Sequence, residues 1–278
     1  MKLIADSGST KTIWFLIDNN GNLLQKISTD GLNPFYQTEE QVADVIKNQL
    51  KPQLSINSID YIYFYGAGCA FPEKNAIIQS GILMVLQVAG IEINSDLLGA
   101  ARGLCGKEAG IACILGTGSN SCFYQNGLIY KNVPPLGFIL GDEGSGAALG
   151  KKLIGDYLKK QLPQDVQNSF AQKYKISTAE ILDRTYKQAF PNRYLASFVP
   201  FLCEHKNNAY VQRLVASSFS EFITRNVQQY DYQSYPIHFT GSIAYYFQDI
   251  LSDVAKQTNI TIGKIEQSPM QGLLKYHK

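Results

Sequence analysis

The sequence predicts an α/β protein of two similar domains around a central cleft. Three observations carry this. At 278 residues the chain exceeds the usual size of a single core. The order apolar strand, glycine–hydroxyl turn, apolar strand, polar turn, strand occurs at Leu3–Thr29 and again from Gly110. Four polar glycine turns stand at predicted strand ends: "DSGSTK" (Asp6–Lys11), "GTGSNS" (Gly116–Ser121), "GDEGSG" (Gly141–Gly146) and "TGSIA" (Thr240–Ala244).

Along the chain, "KLIAD" and "TIWFLID" are apolar and β-branched enough for strands, and "LLQKIST" returns after the "NNGN" turn. A capping-box pair, Thr38 and Gln41, opens an amphipathic helix whose apolar face is Val42, Val45, Ile46 and Leu50. "DYIYFYGAG" reads as a strand buried on both faces. "NAIIQSGILMVLQVAG" reads as a helix with Gly90 as its C-cap. A short strand, "IEIN", leads into a small-residue helix, "DLLGAARGLCG". After the repeated strands a helical stretch covers 145–230, broken at Pro163 and Pro191. "YPIHFTGSIA" then gives strand, glycine turn and helix start, followed by one more strand and a short C-terminal helix. The expected domains are 1–108, joined by the C-terminal helix 268–278, and 109–267 with the helical insertion 145–230.

Composition excludes several classes. Hydrophobic residues make up 45% and charged residues 17%, below the usual ~25%, so a sizeable core is expected. A net charge of +2 without any basic block points away from nucleic acid and membrane surfaces. Neither a spanning apolar run nor a signal peptide is visible. Five cysteines without a C-x-x-C spacing fit reduced thiols in a cytoplasmic protein.

The turns carry the chemistry. Glycine lets backbone N–H groups approach an anion, and hydroxyls add donors around it. Two such hairpins facing each other would hold a polyphosphate, with Asp6 placed for a Mg²⁺ ion and Lys11 adding positive charge. "GTGSN" is not a dinucleotide fingerprint, since the third glycine is missing and a strand follows; no Walker-type loop occurs.

In combination and order, "DSGSTKT", "LGTGSNS" and "FTGSIA" resemble the phosphate-1, phosphate-2 and adenosine loops of the actin-like ATPase superfamily of sugar kinases, Hsp70 proteins and actin. Within it, "DGLNPF", "GTGSN" and "LGDEGSG" look like the N-acetylglucosamine kinase branch of the group that also holds the BadF/BadG/BcrA/BcrD ATPases. The resemblance covers nearly the whole chain. It implies two ribonuclease-H-like domains and an ATP- and Mg²⁺-dependent kinase acting on the 6-hydroxyl of N-acetylglucosamine, in a cytoplasmic homodimer. It implies nucleotide contacts from Ser7, Gly8, Ser9, Thr10, Lys11, Gly116, Thr117, Gly118, Gly241 and Ser242, and metal binding by Asp6. Sugar contacts are implied for Asn33, Asp96, Ser119, Gly137 and Asp142. Asp96 is the expected catalytic base: it opens the small-residue helix, where a helix N-terminus would keep its carboxylate ionised. Ser95 or Asp96 as a plain helix cap is the alternative reading. One departure stands out: the animal enzymes carry a tryptophan-glycine-histidine set where this chain has "PLGFIL" (Pro135–Leu140), which leaves glucosamine and N-acetylmuramic acid open as substrates. A BadF-type activator of a dehydratase, using Cys105 with Cys113 or Cys122 at a dimer interface, is the competing enzyme class; a non-catalytic sugar or nucleotide sensor is the third.

Overall fold

The computed structural model describes residues 1–8, 10–56 and 58–278. The chain forms two compact units: Met1–Ala109 with Tyr124–Tyr130 and Ser268–Lys278, and Gly110–Phe123 with Lys131–Gln267.

The first unit is built on a mixed five-stranded sheet. Its strands are β1 (Lys2–Ser7), β2 (Lys11–Ile17), β3 (Leu23–Asp30), β4 (Tyr61–Gly66) and β5 (Gly90–Ser95), in the order β3-β2-β1-β4-β5. β1, β2 and β3 form an antiparallel meander, whereas β4 and β5 run parallel to β1. Strand alternation divides the apolar residues between two faces. Leu3, Ala5, Trp14 and Leu16 share one buried cluster with Val42 and Ile46 of α1 (Glu39–Val45) and its continuation, and with Ile78 and Ile82 of α2 (Pro72–Leu83). Ile4, Phe15 and Ile17 share the other with residues of the C-terminal helix. The Thr38–Gln41 capping box forms as the sequence indicates.

The helix expected to end at Gly90 ends at Leu83, with Met84 as its C-cap. Pro72 starts it early, at the first helical position, where a missing N–H costs nothing. Gly90 instead opens β5, where a Cβ would overlap the Tyr61 ring. Helix α3 (Asp96–Cys105) follows β5 without a gap, capped by the Ser95 hydroxyl, which accepts from the Leu98 N–H at 3.2 Å.

The second sheet repeats the plan. Its strands β6 (Gly110–Leu115), β7 (Ser119–Gln125), β8 (Leu128–Val133), β9 (Ile237–Thr240) and β10 (Ile262–Glu266) lie in the order β8-β7-β6-β9-β10, with β9 parallel to β6 and to β10. Between β8 and β9 come α4 (Gly137–Leu140), α5 (Gly146–Leu158), α6 (Gln164–Tyr174), α7 (Thr178–Tyr186), α8 (Pro191–Ala196), α9 (Val199–Glu204) and α10 (Ala209–Arg225). α11 (Ser242–Tyr246) and α12 (Gln248–Gln257) follow β9. Pro163 and Pro191 mark helix starts, as their fixed φ and missing N–H require. The last helix, α13 (Met270–Tyr276), belongs to the first unit and crosses α3 at glycines: a Cβ on Gly272 would overlap the Gly103 carbonyl.

Trp14 is fully buried, its indole N–H donating to Thr29 Oγ1 at 3.0 Å. All five cysteines are free. Among the described residues no helix is long and apolar enough to cross a membrane.

Candidate functional site

In the first unit, sheet register collects the candidate residues. Ser7 pairs with Gly66, and Gly66 with Ser95, so the carboxyl ends of the three parallel strands β1, β4 and β5 lie side by side. Ligands of open α/β sheets bind at that edge. Asp6 stands one residue before the end of β1, and Asp96 one residue past the end of β5. The two carboxylates are close enough for Asp96 to raise the pKa of Asp6. Burial is the larger cause for Asp6, whose pKa is pushed up to about 7; a Ser268 hydroxyl 3.4 Å from Oδ2 and the Lys11 charge act against it. Burial pushes Asp96 up to about 6, partly offset by the Leu97 N–H, which donates to Oδ1 at 2.8 Å. Capping falls to Ser95, which frees the second oxygen of Asp96 for other work. Two neighbouring carboxylates with elevated pKa values mark a place that favours a cation, and a Mg²⁺ ion needs only one or two protein carboxylates beside phosphate and water. The residues present fit such an ion.

Asn33 is buried on the loop after β3. Its Oδ1 accepts from the Phe35 N–H at 3.0 Å, and its backbone N–H donates to Gln37 Oε1 at 2.7 Å. Among the described residues nothing accepts from its Nδ2. Gly68 makes room for this side chain, since a Cβ there would lie 2.6 Å from Asn33 Oδ1. The next residue, Cys69, feels the Asp96 charge, so Asn33 and Asp96 flank one turn after β4.

In the β1–β2 turn, Gly8 donates to the Lys11 carbonyl at 3.0 Å, and Thr10 and Lys11 are exposed. Ser9 lies outside the described residues. Ser7, expected among the nucleotide contacts, ends β1. Its hydroxyl is fully buried, 2.7 Å from Thr12 Oγ1 and bonded to the backbone of Leu32. A hydroxyl bonded in this way ties the turn to the loop after β3.

In the second unit the turn at Gly116–Gly118 rests on α5. Gly146 donates to the Gly116 carbonyl at 2.8 Å and Ala147 to the Thr117 carbonyl at 3.0 Å. The Ser119 N–H donates to Asp142 Oδ1 at 3.0 Å, and Gly118 passes so close that a Cβ would meet both Asp142 oxygens at 3.1–3.2 Å. Asp142 sits in left-handed backbone (φ 56°), and burial raises its carboxyl pKa against the pull of the Ser119 N–H. One of its oxygens is therefore committed within the unit and the other remains. Glu143 pairs with Arg225 at 2.9 Å. Gly137 is exposed at φ 73°, and a Cβ there would meet nothing within 4 Å. Gly241 (φ 110°) passes against β6, where a Cβ would overlap the Leu115 carbonyl. The turn at Gly241, with Ser242 exposed at the start of α11, thus lies beside Gly116.

Sequence reasoning passed over a cavity of about 520 Å³ in the second unit, lined by Arg184, Phe190, Arg193, Tyr194 and Ser197 among others. Arg193 lies 4.1 Å over the Phe190 ring and Arg184 4.4 Å over that of Tyr194. Ala196, at the end of α8, packs against Gly146, where a Cβ would lie 3.2 Å from its own. The local signal was Gly150, which lets α8 approach until a Cβ would overlap the Leu195 carbonyl. Ser268 was missed as well, because it follows Asp6 by 262 residues.

Two copies of one sheet plan, each with a glycine–hydroxyl turn after its first strand, define the actin-like ATPase class. No family model matches the chain, and no curated protein matches it. Among solved structures, a candidate N-acetylglucosamine kinase from Porphyromonas gingivalis shares 44% identity at a TM-score of 0.93, with 100% of this chain and 98% of that one covered. This chain belongs to the N-acetylglucosamine kinase family of that superfamily. A second candidate N-acetylglucosamine kinase, from Chromobacterium violaceum, shares the fold at 15% identity, TM-score 0.77 and coverage of 100% and 98%. Component A of (R)-2-hydroxyglutaryl-CoA dehydratase from Acidaminococcus fermentans also shares it, at 13% identity, TM-score 0.53 and coverage of 99% and 95%.

Proposed function

We propose that this protein is an ATP-dependent sugar kinase that phosphorylates N-acetylglucosamine on its 6-hydroxyl. The observation that carries the reading is the carboxylate pair at the strand ends of the first unit, Asp6 and Asp96, each with its pKa raised by burial. Its support from relatives is the 44% identity to the Porphyromonas protein.

Asp96 is the base. With a pKa near 6 it is ionised at neutral pH, yet basic enough to take the proton of an alcohol as the phosphoryl group arrives. Asn33 orients the sugar through Nδ2, and the second oxygen of Asp142 accepts from a sugar hydroxyl. Asp6 would hold Mg²⁺, and the backbone amides of the Gly8 and Gly118 turns, with Lys11, would hold the phosphates. Mg²⁺ supplies charge neutralisation on the transferred phosphoryl group.

The dehydratase-activator alternative needs thiolates at a subunit surface to share an iron–sulfur cluster. Cys105, Cys113 and Cys122 are buried within their units, which favours the kinase. ADP release measured with N-acetylglucosamine, glucosamine, N-acetylmuramic acid and glucose tests the reading. Turnover is expected to be highest with N-acetylglucosamine. ADP release indifferent to every sugar, from a protein that purifies with bound iron, would replace it with the activator.

A further inference from the structure

The nucleotide turn and the sugar loop of the first unit are joined by one buried polar chain. Ser7 ends β1 and Thr12 is the second residue of β2; both are fully buried. The Leu32 N–H donates to Ser7 Oγ at 2.9 Å, Ser7 Oγ and Thr12 Oγ1 lie 2.7 Å apart, and Thr12 Oγ1 donates to the Asp30 carbonyl at 3.1 Å. Each hydroxyl has a single proton. Along the shortest contacts, every proton finds its own acceptor if the chain runs from Leu32 N–H through Ser7 and Thr12 to the Asp30 carbonyl. Such a run of bonds polarises in one direction and strengthens each member. Gly31 adds a fourth tie, donating to the Thr10 carbonyl at 3.1 Å. Residues 30–32 are thereby held from both flanks of the Gly8 turn, and Asn33 comes next.

We propose that the Ser7–Thr12 hydroxyl pair couples the two substrates: a nucleotide held by the Gly8 turn fixes Asn33 for the sugar, and the sugar fixes the turn for the nucleotide. This rests on the kinase reading above. Reciprocity then requires the same factor in both directions. Thr12→Val removes the hydroxyl while keeping the shape, and Thr12→Ser keeps the hydroxyl.

The test is calorimetric. N-acetylglucosamine is titrated into wild type, Thr12→Val and Thr12→Ser, with and without the non-hydrolysable analogue AMPPNP and Mg²⁺. Wild type and Thr12→Ser are expected to bind the sugar about 5-fold or more tightly with the nucleotide present. Thr12→Val should bind each ligand alone and lose most of that factor. Hydrogen exchange in the unsubstituted protein reads the same joint: the Leu32 amide should slow when Mg²⁺–AMPPNP is added without sugar. Binding of both ligands to wild type with no mutual effect, or a full factor retained in Thr12→Val, overturns the coupling alone. A wild-type protein that binds no N-acetylglucosamine overturns the kinase reading and takes the coupling with it.

Discussion

The hairpins β1–β2 and β6–β7 hold equivalent places in their sheets and share turn chemistry, yet they differ where the first strand meets the turn. The first ends in Asp6 followed by Ser7; the second ends in Leu115, fully buried, followed by Gly116. Both have a buried hydroxyl early in the return strand. Thr12 meets Ser7 in one, and Ser121 meets the Tyr230 hydroxyl at 2.9 Å in the other. In both turns a glycine N–H closes the bend on a carbonyl two or three residues on, Gly8 on Lys11 and Gly116 on Gly118. The difference is one of charge: the first hairpin carries a buried carboxylate near Asp96, while the second has none of its own and its nearby acid, Asp142, accepts from the Ser119 N–H.

Substitutions at matched positions can break that contrast. Asp6→Asn should lower kcat/KM by about 100-fold or more, as the proposed Mg²⁺ site would lose its carboxylate. Asp142→Asn should cost nearer 10-fold, felt mainly in the KM for sugar, as expected for one weakened hydrogen bond. Equal losses at the two sites, measured by steady-state ADP release, would remove the distinction.

Stability should respond in the opposite sense. The folded-state pKa of Asp6 is raised, so folding favours its protonated form. That contribution is present below about pH 4 and is lost as pH rises through about 7. Asp6→Asn should therefore stabilise the ligand-free protein by about 2–4 kcal/mol at pH 8 and leave it unchanged near pH 4. Urea unfolding at the two pH values checks this.

The glycines sharpen the comparison further. Gly241→Ala should destabilise by about 1–3 kcal/mol, since its Cβ would press on the Leu115 carbonyl and its φ is 110°. In Gly8→Ala the nearest atom is 3.8 Å away, so melting should change by less than about 0.5 kcal/mol and any effect should appear in ATP binding. The smallest expected change is Lys11→Ala, an exposed cation: about a 5-fold rise in the KM for ATP that fades as salt is raised.

Much of the fold was legible because local rules and the tertiary structure agree. Thr38 and Gln41 predicted their own capping box, and Pro163 and Pro191 marked helix starts. The repeated strand–turn–strand order anticipated a repeated sheet topology. Errors came where distant contacts decide. Gly90 looked like a helix terminator because nothing local reveals that the Tyr61 ring lies over it. The bond from the Leu32 N–H to Ser7 was not foreseen either, since only the fold brings the two together. Position relative to elements singled out Asp96, and its elevated pKa required the packing around it. The cavity at α7 and α8 was invisible because stacked guanidinium and aromatic groups leave no periodic pattern.

The central claim is that Asp96 takes the proton from the sugar hydroxyl. Single-turnover formation of ADP by Asp96→Asn, with sugar binding followed by calorimetry in the same preparation, tests it most directly. A loss of about 100- to 10,000-fold in the chemical step with sugar affinity within about 5-fold of wild type is the predicted result. A chemical step that stays within a few-fold of wild type, while the sugar still binds, would contradict the claim.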